Sequence, residues 1–349
     1  MNLKYLLLAP LLVLPSLPSC GCGGDSGNIS GCPPPPFVQS VDPLNGAIDV
    51  ALASEICVTF STPMLESTVN GQTFLVVERG GPIVVGTIIF TQPNLTACFI
   101  PMPNLLPCTI YDIAVSGGAT EDICGQPLAA FTSSFTTTGV NCVPPGPPGP
   151  CVPQINFGTA VSYAVLAGTT VTNTGPTTLN GDLGLHPGSS VTGAPVVTGV
   201  TNVANAPALA AKNDLIIAYN DAVAAPSTAT RIGDIGGEIL TAGVYTSTSD
   251  LSVLSADLIL IGGQDDVFIF QMVSTLTVAT GRKVLLQGVR PCNVIWQVGS
   301  SATLNGGAEF VGTILALTDI NLVTGATVAG RLLARNGQVV LQSNIVTVP

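Results

Sequence analysis

The side chains best suited to acid–base or nucleophilic chemistry are sparse in the second half of this sequence. His186 is the only histidine, and it precedes Pro187 in a glycine-rich stretch that offers no serine and aspartate in a triad arrangement. Asp265 and Asp266 form the only adjacent acidic pair of residues 154–349, and a turn accounts for them. We therefore expect no catalytic residue, no metal site and no cofactor here.

Hydroxyl and amide side chains, by contrast, recur at a fixed spacing. Threonine has a stiff χ1 angle and carries a methyl and a hydroxyl group together. A regular, charge-poor array of such side chains can hydrogen-bond an ordered layer of water, whereas a charged group holds its own hydration shell. Steps of 18 residues relate Ser300, Thr318 and Asn336, then Thr303, Asn321 and Val339, then Ala302, Ile320 and Gln338 between them, while the preceding segment contributes Thr275 and Thr277.

The apolar residues follow the same 18-residue step. Val294–Gly299, Gly312–Leu317 and Gly330–Arg335 align with one another. Eighteen residues can supply three short strands and three turns, which make one triangular coil of a β-helix. Further coils are predicted from Val339–Leu341, with one inserted residue, and from Leu258–Ile261, Val267–Met272 and Val284–Leu286.

One segment has a helical period instead. Small and apolar residues recur at 3.6-residue spacing from Ala208 to Ala222, Pro207 suits the first turn, and Pro226 follows the end. We predict a helix over Pro207–Val223 that covers one apolar side of the coils.

Composition narrows the class of protein. Charged residues are only 8% of the 349 residues, and the net charge is −11. Nucleic acid is excluded as a partner, because phosphate binding needs clustered Lys and Arg and the nine present are scattered. A surface covered by small polar residues is typical of β-rich extracellular proteins.

The cysteines divide the chain. Nine of the ten lie in residues 1–151, which indicates an oxidising compartment and a first half held by disulfides. We predict the pairs Cys57–Cys98, Cys108–Cys124 and Cys142–Cys151, with a zinc site as the alternative. Cys292 is predicted to be a buried free thiol.

The N-terminus has the features of an export signal. Lys4 precedes an apolar stretch that is too short and too interrupted by proline to span a membrane. Leu17-Pro18-Ser19-Cys20 resembles a lipoprotein processing site, which implies acylation of Cys20 after removal of residues 1–19 and a lipid anchor in the outer membrane. A plain secretory signal is the alternative.

Two stretches without hydrophobic periodicity separate the remaining parts. Residues 20–36 are predicted to be a flexible tether, and residues 140–153, rich in Pro, Gly and Cys, a stiff linker. Between them, residues 37–139 contain six or seven short strand patterns at the spacing of a β-sandwich. Asp42–Ala47, Val58–Met64 and Phe135–Thr137 resemble a bacterial immunoglobulin-like (Ig-like) domain, which implies a spacer or stalk that presents something else.

Residues 154–349 resemble the microbial ice-binding domains of the discontinuous β-solenoid type. The stretches that carry the resemblance, in order, are Phe157–Ala167, Asn180–Gly188, Val191–Gly193, Gly233–Gly237, Thr241–Tyr245, Asp266–Gln271, Asn293–Val298, Gly312–Ala316 and Gly325–Arg331. The resemblance implies a right-handed β-helix of triangular section with one helix packed alongside, and a monomer that adsorbs to ice by one flat face.

The candidate ice-binding face comprises the hydroxyl and amide residues named above: Thr275, Thr277, Ser300, Thr303, Thr318, Asn321 and Asn336. Some family members carry a Thr-small-X-Thr/Asn pattern there, which Thr318–Asn321 follows except at Asp319. Because Asp319, Ile320 and Val339 interrupt the array, we expect recrystallisation inhibition or weak thermal hysteresis. The alternative is a surface adhesin or structural solenoid that binds glycan or a cell-surface partner, and few aromatic residues are available to line such a groove.

Overall fold

Two four-stranded sheets form the first half of the described chain. The structure, a computed structural model, describes residues 34–91, 95–140, 142 and 153–349. The sheets have the strand orders β1-β3-β6-β5 and β2-β8-β7-β4. Their strands are β1 (Val38–Asp42), β2 (Ala47–Val50), β3 (Ile56–Phe60), β4 (Phe74–Glu78), β5 (Gly86–Thr91), β6 (Thr96–Pro101), β7 (Ile110–Val115) and β8 (Phe131–Thr137).

Apolar side chains at every second position of these strands form one core between the two sheets. Val58 and Phe60 of β3 pack with Phe74 and Val76 of β4 and with Phe135 of β8, all of them buried. A strand directs successive side chains to opposite faces, so the residues between these point away from this core.

The disulfides agree with the prediction at one pair and contradict it at two. Cys57 and Cys98 lie directly opposite each other on β3 and β6 and are bonded, as predicted. Cys108 bonds to Cys142, so the pairs Cys108–Cys124 and Cys142–Cys151 are wrong. The antiparallel pairing of β7 with β8 brings the chain before β7 beside the chain after β8, where the backbone N–H of Cys108 donates to Thr138.

The remaining cysteines either form disulfides or lie outside the described residues. Cys124 and Cys292 each take part in a disulfide, so the prediction of a free thiol at Cys292 is wrong. Cys151 lies outside the described residues. So do Cys20, the signal segment 1–19 and nearly all of the tether and linker segments. No helix of the described residues is long and apolar enough to cross a membrane.

Parallel strands form the second half, with one α-helix among its described residues. Before the helix come β9 (Tyr163–Ala167), β10 (Thr170–Thr174), β11 (Thr178–Asn180), β12 (Asp182–Leu185), β13 (Ser190–Thr192), β14 (Val196–Val197) and β15 (Thr201–Val203). The helix α1 is Ala206–Ala224.

The strands after the helix complete the solenoid. They are β16 (Ala229–Thr230), β17 (Gly233–Asp234), β18 (Ile239–Leu240), β19 (Gly243–Ser247), β20 (Leu251–Val253), β21 (Leu258–Ile261), β22 (Phe268–Met272), β23 (Leu276–Val278), β24 (Val284–Gln287), β25 (Val294–Val298), β26 (Ala302–Leu304), β27 (Glu309–Ala316), β28 (Ile320–Leu322), β29 (Thr327–Ala334), β30 (Val339–Gln342) and β31 (Ile345–Thr347).

The strands stack with the predicted 18-residue register. Every residue of β27 pairs with the residue 18 positions later in β29, from Glu309 with Thr327 to Ala316 with Ala334. The turns repeat with the strands, because Gly307 and Gly325 both have positive φ angles, of 66° and 79°. Glycine occupies such angles without steric cost, so the same turn can close successive coils.

The stacking order departs from the chain order. In the first parallel sheet the order is β13-β10-β30-β28-β26-β23-β20-β17, so the earliest strands stack on the last coil. β9 pairs with β29 on one side and with β12 on the other. The last coil is therefore completed by a strand from the start of the domain.

Apolar side chains fill the interior of the coils. Leu276, Ala302, Ile320 and Val339 stack in register and are fully buried, and similar rows line the other sides. The rings of Phe270 and Trp296 stack with centroids 3.9 Å apart. Trp296 is thus a core residue.

Helix α1 covers one side of the solenoid. The Asn205 side chain caps its N-terminus by accepting the backbone N–H of Ala208 at 3.0 Å. Leu215 and Tyr219 pack in one apolar cluster with Ile295 and Leu315, which point outward from the coils. The helix includes the predicted range and extends one residue further at each end.

Candidate functional site

The outward side of the eight-stranded sheet is the candidate functional surface, and we call it the threonine face. Its central row follows the register from Thr277 to Thr303 to Asn321. Strands in a sheet lie about 4.8 Å apart, so this row spaces one polar side chain per coil at that distance. The full row is Thr192, Thr172, Val340, Asn321, Thr303, Thr277 and Ser252.

The predicted row of Thr303, Asn321 and Val339 is shifted at its last member, because the next coil contains one inserted residue. Asn321 pairs with Val340, not with Val339, and Val339 points into the core together with Ile320. The prediction that Ile320 and Val339 interrupt the array is therefore wrong. Val340 is the apolar member of the central row, and it is partly exposed.

A second row runs beside the central one. Thr275 and Ser301 occupy it on neighbouring coils, followed by Asp319, Gln338 and Thr170, as the backbone hydrogen bonds between these strands indicate. The backbone N–H of Gln338 also donates a hydrogen bond to the Asp319 carboxylate, which links these two neighbours in the row.

Ser300, Thr318 and Asn336 lie at the corner where the threonine face begins. The Thr318 backbone N–H donates to Ser300 at 3.0 Å, and the Thr318 hydroxyl lies 2.7 Å from that of Ser301. Asn336 is exposed, and its N–H donates to Leu317 of the neighbouring coil. All seven predicted residues thus lie on one sheet or its edge.

The acidic groups near the face are engaged by the backbone. Asp319 accepts the N–H of Gln338 at 2.8 Å. Burial pushes the pKa of Asp234 upward, but hydrogen bonds from the N–H groups of Leu254 and Gly236 and from Ser255 outweigh it, so this pKa lies below its ordinary value. Asp234 thereby stabilises the turns at one end of the array, whereas Asp319 lies within the second row.

The other sides of the solenoid are covered or irregular among the described residues. Helix α1 packs over Ile269, Ile295 and their neighbours. The third sheet, with strand order β18-β21-β24, packs against the first half of the chain. Farther along that side, Glu309 forms an ion pair with Lys283 and Ile345 is exposed.

Sequence reasoning missed the members of the face that precede the helix. Thr172 and Thr192 extend the central row by two coils, and Thr170 and Ser190 pair beside them. They lie outside the 18-residue series, because the chain reaches this end of the solenoid before it forms the other coils. Only the pairing of β10 with β30 brings them into the row.

Comparison with known proteins identifies the family. A model described as "Ice-binding-like" matches residues 165–347, and one described as "Bacterial Ig-like domain" matches residues 33–137. The chain belongs to the ice-binding-like family. Members are non-enzymatic, and the chain accordingly is not an enzyme.

Individual relatives agree. An ice-binding protein of Nostoc sp. (strain HG1) is 41% identical over 198 residues, which cover 55% of this chain and 73% of that protein. An ice-binding protein of Flavobacterium frigoris (strain PS1) is 29% identical over 266 residues, covering 68% and 95%.

Solved structures show the same likeness. The crystal structure of an ice-binding protein from an Antarctic biological consortium is 44% identical with a TM-score of 0.55, over 59% of this chain and 95% of that one. That of the Antarctic ascomycete Antarctomyces psychrotrophicus is 34% identical with a TM-score of 0.52, over 56% and 98%. These likenesses are consistent with a β-solenoid in the second half.

Proposed function

We propose that this protein adsorbs to ice through the threonine face. The observation that carries the proposal is the register of the central row, which aligns Thr277, Thr303 and Asn321, all partly exposed, on the outward side of one sheet. From Thr192 to Thr277 the row crosses five strand spacings, or about 24 Å. The names of the relatives support the same conclusion.

The chemistry of the row fits adsorption to ordered water. Each threonine is restricted at χ1 by its β-branch, so its hydroxyl and methyl groups lose little conformational freedom when water orders around them. The inward neighbours Leu276 and Ala302 are fully buried and fix the backbone beneath. A rigid, mostly uncharged grid can hold water in a lattice that merges with the crystal.

Substitution of Thr303 by a bulky ring tests the proposal. In the full chain, Thr303→Tyr should abolish most of the partition into a growing ice front and the shaping of ice crystals, because the ring lifts the neighbouring rows from the lattice. Thr327→Tyr is the matched control, since Thr327 lies on the next coil but on a different side. Circular dichroism should be the same for both variants.

Two results would contradict this assignment. If Thr303→Tyr retains full ice affinity while Thr327→Tyr loses it, the ice-binding surface is on the third side. If the unmodified chain neither enters the ice front nor changes crystal shape, adsorption to ice is wrong and the adhesin alternative takes its place. Binding of the chain to a glycan array would then be the measurement of choice.

The strength of the activity follows from the composition of the rows. Val340 and Asp319 lie within the array, on neighbouring coils. We propose that they weaken adsorption, so that inhibition of recrystallisation exceeds thermal hysteresis. A splat assay beside nanolitre osmometry measures the two separately.

The finer architecture also remains our proposal. Three strands in each coil favour a triangular section, and a right-handed course is what the family likeness implies. The sheets of residues 37–139 are proposed to form a β-sandwich, with domain limits at residues 36–37, 139–140 and 153–154. We further propose an exported monomer, either lipid-anchored at Cys20 in the outer membrane or secreted.

A further inference from the structure

The third sheet of the solenoid is apolar on both sides. In β21, Leu258 and Leu260 point into the core of the coils. Ile259 and Ile261 alternate with them and therefore point outward, yet both are 0% exposed. Ile345, an outward isoleucine farther along the same side, is 51% exposed.

The Ig-like domain supplies the cover. In β4, Phe74 and Val76 belong to its own core, while Leu75 and Val77 point outward and join Ile259 and Ile261 in one buried cluster. Ala114 of β7 completes the contact from the neighbouring strand. The sheet of β4 and β7 is thus buried on both faces as well.

Polar groups close the rim of this contact. Arg79 pairs with Asp112, whose side chain is fully buried, and the Nε donates at 2.9 Å. Gln287 of the solenoid donates to the same carboxylate at 2.8 Å and to Ser133 at 3.2 Å. Ser116 donates to the carbonyl of Gly237 across the same boundary. A buried charge this fully bonded is costly to uncover, since its partners lie on both sides.

The two backbones also approach closely. A Cβ atom placed on Gly263 would lie 2.8 Å from the Cα of Gly80, and one placed on Gly118 would lie 2.5 Å from the Cβ of Ala256. Residues 36–349 accordingly form one compact unit.

We infer that the Ig-like domain is a stabilising partner of the solenoid, and that the two unfold as one cooperative unit. Without it, the outward isoleucines of β21 would meet water and make an aggregation-prone apolar patch on the solenoid. The domain therefore acts as a permanent cover of the third sheet and not as a separate spacer. This inference stands independently of adsorption to ice.

Calorimetry of the full chain tests it. The unmodified protein should show one unfolding transition. Ile259→Asp should split it into two, because the substitution breaks the contact while leaving both cores intact. Ile345→Asp, the matched control, should keep a single transition. Two independent transitions in the unmodified chain, or one unchanged transition in Ile259→Asp, would overturn the inference.

Hydrogen exchange of the unmodified protein provides a measurement that needs no variant. If the domains unfold together, the slowest amides of β7 and of β21 exchange with the same free energy and the same denaturant dependence. Distinct values for the two strands would overturn the inference even if Ile259→Asp fails to fold. Ice affinity is not a readout in either experiment, so its loss leaves the result unaffected.

Discussion

At the scale of single residues, two buried cations hold the start of the solenoid domain in place. Lys212 of the helix donates to the carbonyls of Ala334 and Arg335, both at 2.6 Å. Arg331 donates to the carbonyl of Val161 at 2.7 Å and lies over the ring of Phe157. Burial lowers the pKa of Arg331 to about 10, so it stays charged at neutral pH.

The protonation of Lys212 gives a prediction for the pH dependence of stability. Burial, with a smaller contribution from Arg335, lowers its pKa from 10.5 to about 8. Between these values the unfolded chain binds more protons than the folded one, so the contribution of Lys212 to the free energy of unfolding rises with pH. Relative to Lys212→Met, the unmodified protein should gain on the order of 3 kcal/mol from pH 8 to 10.5, at about 1.4 kcal/mol per pKa unit.

Urea unfolding at several pH values measures this difference. Lys283→Met is the control, because the hydrogen bond with Glu309 raises the pKa of Lys283. Its contribution is complete below pH 10.5 and is lost only above it, so its difference curve should be flat over the same interval. A flat curve for Lys212→Met as well would contradict the role of burial.

At the scale of elements, helix α1 is defined by its cap and by one apolar stripe. Proline at the second position and Asn205 before the first set the beginning of the helix. Gln271 donates to the carbonyls of Ala222 and Ala225 at 2.7 and 2.8 Å. These hydrogen bonds satisfy carbonyl groups at the C-terminal end of the helix that have no partner within it. The sequence period predicted the stripe, but the glutamine lies 46 residues from Ala225, and no local pattern reveals it.

Removal of the cap is the prediction at this scale. Asn205→Ala should lower the free energy of unfolding by about 1 kcal/mol, the usual cost of losing a side-chain N-cap. Asn213→Ala, on the exposed side of the same helix, should change stability little. Thermal unfolding compares the two, and equal effects would mean that the cap is unimportant.

At the scale of the whole molecule, strand β31 lies inside the stack and not at its edge. β31 is the last strand of the chain, yet it lies between β11 and β29. Asn344 is buried before it and donates to the carbonyls of Val323 and Ala326. Asn344 and Val346 are therefore buried within the solenoid.

A C-terminal truncation tests this placement. Deletion of residues 344–349 removes the buried Val346 and Asn344 and leaves β11 and β29 each without a partner strand along one edge. We expect a loss of at least about 3 kcal/mol, comparable to large core truncations. Deletion of Pro349 alone is the control and should be neutral. Chemical denaturation that detects no loss for the longer deletion would contradict the stacking order.

The sequence by itself determined the 18-residue repeat and predicted helix α1. An 18-residue period is visible in the sequence because the inward side chains of successive coils must match in size and polarity. The helical stripe and the Cys57–Cys98 pair are likewise local or nearest-strand features. The same period located Thr303 and Asn321 on one row.

Only the tertiary structure decided the relations between distant segments. The pairing of β10 with β30 adds Thr172 to the threonine face, and one inserted residue puts Val340 there in place of Val339. The cover over Ile259 and the bond from Cys108 to Cys142 depend on surfaces that meet after folding. Burial on both faces of a strand leaves a plain apolar run in the sequence, and such a run does not tell which partner covers it.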